Sequence, residues 1–373
     1  MGKSKEKGIE SSESLFQWER VGRFNFPVWT VLIGTLFART SFFMAWPFLV
    51  VFLYQDYHAT ATEVGAMLAT SALVGSLTGL YSGYLSDKFG RKWVMVSGTL
   101  IATFAYTGIG LSNQIWQFFI MIVLTGLMRP MIEAPGKAYF LFGLWLLATL
   151  ERKGRFQQPD RSLLPNFSAT LRVISKDNVF VKMMLANFLM MFVYGQVESS
   201  LPQVIVRSGI ADAAQLVAGL VLVNTMTIIL FQFPTLKLLE SVPLFTRTRL
   251  GMALMGLAQV GFMFTPEAFP LGWYLACFVL SMGEVIAFPT LNVQIDRLAP
   301  AHLRGSYFGA AALYSLGFAI APLAGGMMIE YLNAQWLYGL CFVLCLAMIG
   351  LYYLAQREQE MGEKERLSRA TEC

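Results

Sequence analysis

The chain has 373 residues, of which 56% are hydrophobic, 14% aromatic and 14% charged, against roughly a quarter charged in ordinary soluble domains. That balance excludes a water-soluble globular fold, and long uninterrupted apolar stretches exclude an outer-membrane barrel, whose strands alternate over about ten residues. The net charge of +5 invites nucleic acid, but its distribution sets membrane topology instead, so no nucleic-acid partner is assigned.

Residues 1–25 are polar and charged, carry no cleavable leader and read as a cytoplasmic tail. Ten apolar stretches then reach the roughly 20 residues that a 30 Å hydrocarbon core requires. They run from Pro27 to Tyr54, Thr62 to Leu85, Trp93 to Leu111, Ile115 to Pro135, Phe180 to Val204, Ala213 to Leu236, Arg249 to Thr265, Leu271 to Val293, Gly305 to Glu330 and Gln335 to Ala355. With both termini in the cytoplasm, Lys88/Arg91/Lys92, Arg152 to Lys182, Lys237/Arg247/Arg249, Arg297/Arg304 and the tail 356–373 fall on one side. Of 28 Lys and Arg, only Arg39, inside a span, and Arg207, in an outer loop, depart from the positive-inside rule.

The first and fifth spans echo each other. Phe37 to Val50 lies over Phe192 to Ile205 at an offset of 155, with Pro47 on Pro202, and Pro135 falls on Pro289 in the fourth and eighth spans. Two parallel repeats are the mark of a transporter whose halves rock about a midplane site. The repeat also predicts a partner for the ninth span near residues 150–175, where the sequence is charged loop. Only Ala138 to Leu150 precedes it, and at 1.5 Å per residue this piece covers about 20 Å. The pattern reads as an internal deletion of one helix and most of another after Lys137, with a natural ten-helix design as the alternative. The expected domains are an incomplete first bundle (26–150), a cytoplasmic loop (151–178), a six-helix bundle (179–355) and a charged tail (356–373).

Between the second and third spans, Gly83-Tyr-Leu85-Ser-Asp87-Lys88-Phe-Gly90-Arg91-Lys92 has a readable logic. Gly83 permits close helix approach, Asp87 lies four residues before Arg91, and Gly90 allows a sharp reversal. The segment resembles the cytoplasmic loop signature of the major facilitator superfamily, Gly-x-Leu-x-Asp-Arg-x-Gly-Arg-Lys, with Lys88 in place of the first Arg. The second-half counterpart, Lys237 through Arg249, keeps basic residues but lacks the acid and the glycines.

The order of motifs over most of Phe26 to Ala355 is most similar to the proton-coupled drug antiporters of that superfamily. The resemblance implies an all-α, two-bundle integral membrane transporter of a bacterial inner membrane. It would be a monomer that expels hydrophobic or amphipathic compounds on a proton gradient, with the bilayer, protons and a small-molecule substrate as partners and no cofactor. It also implies that Asp87 latches against the start of the ninth span at Leu303-Arg304-Gly305. The Gly/Pro-rich signature of such antiporters belongs to the helix this chain lacks. A related pattern, Gly317-Phe-Ala-Ile-Ala321-Pro322-Leu-Ala-Gly325-Gly326, would allow tight crossing in its repeat partner.

Ionisable groups inside a bilayer cost about 3 kcal/mol or more and usually face a cavity or a partner. Arg39 is either a substrate contact or half of a structural pair. Glu198, beside Tyr194 and Gln196, and Glu284, half-way along its span, are candidate proton carriers; a fixed hydrogen bond is the bland alternative. Glu133 follows Arg129 by four residues and reads as a local salt bridge. Asn224, with Asn187 and Gln259, is a candidate cavity polar group. Cys277, Cys341, Cys345 and Cys373 have no metal or disulfide spacing, and His58 and His302 lie in separate loops, so no metal is assigned. No nucleotide loop or nucleophile elbow is present, and enzymatic activity is not expected. Two alternatives share these features: an uptake or lipid-translocating transporter, and an internally deleted chain that moves nothing.

Overall fold

A computed structural model of the chain describes residues 33, 47–89, 91–128, 130–131, 176–210, 212–267, 269–300, 307 and 310–371, and among them every regular element is helical. The described part of α1 covers 47–57. It is followed by α2 (Ala61–Phe89), α3 (Arg91–Leu111), α4 (Ile115–Met128), α5 (Asn178–Arg207), α6 (Ala213–Leu238), α7 (Leu244–Phe264) and α8 (Pro270–Leu298). A short 3-10 turn, Ala312–Tyr314, leads into α9 (Ser315–Tyr331), and α10 runs from Ala334 to Thr371. Five of these helices, α3, α5, α6, α8 and α10, carry a stretch long and apolar enough to cross a membrane on length and hydropathy alone. The chain is an all-α membrane protein.

Helix ends follow local chemistry. The α1–α2 turn closes on His58 in the left-handed region, φ 51°, with His58 N–H donating to the Tyr54 carbonyl and Ala59 N–H to Leu53, each at 3.1 Å. Thr60 and Glu63 then form a capping box at the head of α2: Thr60 N–H donates to Glu63 Oε2 at 2.9 Å, and Glu63 N–H to Thr60 Oγ1 at 3.2 Å. The polar signature is more helical than its composition predicts, since α2 continues to Phe89 and α3 restarts at Arg91. Apolarity marks the edge of the hydrocarbon, whereas a helix continues for as long as its backbone hydrogen bonds are met. Asp177 caps α5, accepting from Phe180 N–H at 3.0 Å through Oδ1, while its Oδ2 accepts from the Tyr307 hydroxyl at 2.8 Å.

The described side chains bury two separate apolar cores. One joins α1, α2 and α4 through Val50, Leu53, Val64, Met67, Leu68, Phe118 and Ile122. The larger runs through α5 to α10, with Met183, Met190, Met252, Met255, Leu280, Cys341 and Tyr352 fully enclosed or nearly so. Helix α9 lies between them and packs on α2 on one side and α5 on the other. The small residues of its pattern make this possible: a side chain at Gly326 would run into the Ala61 carbonyl of α2, one at Gly317 into the Phe188 carbonyl of α5, and one at Gly325 into Ser200 and Gln196. Across the seam, Gly65 of α2 sits against the carbonyl of Pro322.

Candidate functional site

Where α1 meets α5, α6 and α8 there is a cavity of about 610 Å³, within the range of small-molecule sites. Its wall is mostly aliphatic, and the repeat-related prolines Pro47 and Pro202 both line it. The polar groups on the wall are few: Tyr194 and Glu198 from α5, Asn224 and Thr225 from α6, and Cys277 and Glu284 from α8.

On α5, Tyr194 and Glu198 are one helical turn apart, and the phenol donates to Glu198 Oε1 at 2.5 Å. The Tyr194 ring meets Phe288 of α8 edge-on at 5.0 Å and lies 6.0 Å from Phe318 of α9. On α8, the 3.6-residue period places Ser281 and Glu284 on one face, opposite Asn224 of α6. Both N–H groups of the Asn224 amide are used, one on Ser281 Oγ at 2.9 Å and one on Glu284 Oε2 at 3.0 Å. Ser281 in turn donates to the Cys277 carbonyl at 2.8 Å, so its lone pairs are left to accept from Asn224.

Glu284 is 3% exposed, and its Oε1 has no hydrogen-bond partner among the described residues. A buried carboxylate oxygen without a partner is costly. On a residue of the cavity wall, it is a place for a proton or, after a small side-chain rotation, for a donor on a bound molecule.

The other candidates are dispersed. Gln196 is turned away from the cavity: its Nε2 donates to the Ala321 carbonyl of α9 at 3.0 Å, and its Oε1 accepts from Ser200 at 2.6 Å. Asn187 lies with Tyr352 and Gln294, its Oδ1 accepting from the Tyr352 hydroxyl at 2.7 Å. Gln259 is buried in α7, and neither of its amide atoms has a hydrogen-bond partner among the described residues. Gly83, Asp87 and Lys88 fall in the last turns of α2, and Arg91 and Lys92 open α3. Arg39, Glu133, Gly90, the Leu303-Arg304-Gly305 site and Cys373 lie outside the described residues. Ser281 was missed by sequence reasoning. The available signal was its place three residues before a buried acid, but serine is too common in membrane helices to stand out.

The profile of the Major Facilitator Superfamily matches residues 31–141 and 136–315. The uncharacterized MFS-type transporter YqjV of Bacillus subtilis (strain 168) is 25% identical over 386 aligned positions, which take in 89% of this chain and 94% of that protein. The multidrug resistance protein MdtH of Shigella flexneri is 23% identical over 359 positions, covering 83% of this chain and 86% of its own. Among solved structures, the nucleoside transporter NupG matches with a TM-score of 0.60 at 13% identity, over 82% of this chain and 94% of that one. At that identity the likeness speaks for the fold.

Proposed function

This chain belongs to the major facilitator superfamily, and from that premise we propose that it is a secondary active transporter that couples proton entry to the expulsion of hydrophobic or amphipathic compounds. The observation that carries the reading is Glu284: a buried carboxylate on the wall of an otherwise greasy cavity, with one oxygen fixed by Asn224 and the other open. Glu198, tied to Tyr194 on the adjoining wall, is the second carrier. Protons and substrate would share these acids, so that loading one discharges the other. The bias of Lys and Arg supports an orientation with the α2–α3 and α6–α7 turns and both termini in the cytoplasm and the α1–α2, α5–α6 and α9–α10 turns outside, and the bacterial relatives support an inner membrane. Asp87 keeps its role as a cytoplasmic latch. The likeness to MdtH supports efflux, and the likeness to NupG favours the same rocking fold without favouring a substrate.

A shortened first bundle is the second reading, and two observations favour it. The family profile meets the chain in two stretches that join at 136–141, where the repeat breaks off after Lys137. In the alignment with YqjV, 89% of 373 residues is about 332, so more than fifty of the 386 positions have no residue from this chain. Loss of a helical hairpin leaves both termini on one side and removes one wall of the first bundle.

The test is uptake of a fluorescent cationic dye into everted vesicles under an imposed pH gradient. Dye accumulation that collapses on adding a protonophore, and is absent in Glu284→Gln, is the expected result. Accumulation that ignores both the gradient and Glu284 would overturn the proton coupling.

A further inference from the structure

Arg207 is a departure from the positive-inside distribution, and its surroundings give it a use. It is the last residue of α5, half-buried, with its guanidinium across the gap between the two cores. Its Nη2 donates to the Ala59 carbonyl of the α1–α2 turn at 2.6 Å, and its Cζ lies 4.5 Å from the centre of the Tyr54 ring. Glu330, near the end of α9, reaches the same turn from the other side: its Oε2 accepts from the backbone N–H of Thr62 at 2.8 Å. The capping box leaves that N–H free, because Thr60 and Glu63 satisfy each other. A carboxylate at the head of α2 also meets the positive end of the helix dipole.

Both charges belong to the second bundle, and both hold backbone atoms of the first. Their opposite charges favour one another across the turn. The cavity lining on α5 reaches Ile205, two residues before Arg207, so the Arg207 contact lies just beyond that end of the cavity wall.

We propose that Arg207 and Glu330 are gating residues that clasp the α1–α2 turn to the ends of α5 and α9 and keep this end of the cavity shut, letting go when the halves rock apart. The inference rests on the transport reading and on this end facing outward. Charge-assisted contacts to backbone suit such a clasp. They are strong enough to bias one state, and both charges regain water when it opens. A purely structural staple would raise stability without controlling access from one side.

The experiment uses the full chain carrying Thr225→Cys, a reporter at an exposed position on the cavity wall. Cells are treated with a membrane-impermeant maleimide and labelling is followed by mass spectrometry. Arg207→Met and Glu330→Ala should each raise the outside labelling rate about tenfold, the population shift expected from losing one charge-assisted hydrogen bond. If Arg207→Met fails to accumulate, Glu330→Ala, at an exposed position, carries the test. An unchanged rate, with or without a lower melting temperature, overturns the clasp. A rise seen only in everted vesicles keeps the clasp and overturns the sidedness. Dye transport, measured separately, decides the proton-coupling reading whatever the labelling shows.

Discussion

Glu284 is held by one oxygen and left open by the other, and the two halves of that statement predict different things. Replacing Asn224 by Ala removes the donor to Glu284 Oε2 and to Ser281 together. It should destabilise the protein by about 2 kcal/mol, the usual cost of losing a hydrogen bond to a charged group, read as a lower melting temperature in detergent. Glu284→Gln keeps the shape and can still accept from Asn224. Its melting temperature should stay close to the parent's while gradient-driven transport falls to background. A large drop in melting temperature for Glu284→Gln would make the acid a structural part. At Tyr194, Phe should leave folding intact and weaken transport, since the bond to Glu198 is lost while the ring keeps its contacts with Phe288 and Phe318. At this scale the sequence marks the acids well, because charge inside an apolar run is conspicuous. It marks their partners poorly, because the partner of a buried acid is chosen by contacts between helices far apart in the chain.

Helix α9 shows what small residues do at the scale of an element. Its glycines let the carbonyls of α2 and α5 approach backbone to backbone. Gly326→Val should therefore force α2 away from α9 and cost about 1 to 3 kcal/mol, as overpacking does, measured by thermal melting. Gly350→Ala on α10, where a new methyl meets nothing within 4 Å, should be tolerated and serves as the control. Equal losses from the two would mean that the α2–α9 contact is not tight. The positions of the described helices are legible in hydropathy to within a few residues, as at Ala213 of α6 and Leu111 of α3. The polar ends are less so: α2 runs past Leu85 to Phe89 because helicity persists in water after apolarity ends. Gln196 illustrates another limit. Its neighbours on α5 face the cavity, yet a 100° turn per residue puts its own side chain on α9.

At the scale of the whole molecule, the repeat and the superfamily fold are carried by spacing that a linear reading detects, and the proposed break after Lys137 rests on the same spacing. Inserting a two-helix hairpin after Lys137 should raise dye transport in everted vesicles severalfold, by completing the first bundle. Unchanged transport in a stably inserted protein would mean that the short bundle is sufficient. What spacing does not reveal is how far the last helix travels. Helix α10 has 38 residues, about 57 Å at 1.5 Å per residue, against a hydrocarbon core of about 30 Å. Its aqueous part is tied back to the bundle by the Lys182–Glu358 ion pair and by Arg249 donating to Gln356 at 2.9 Å. A 41.6 kDa protein buried in a micelle offers little for particle alignment in electron cryomicroscopy. A soluble helical domain spliced in register onto α10 would stand out of the micelle without a swivel and give each image its orientation.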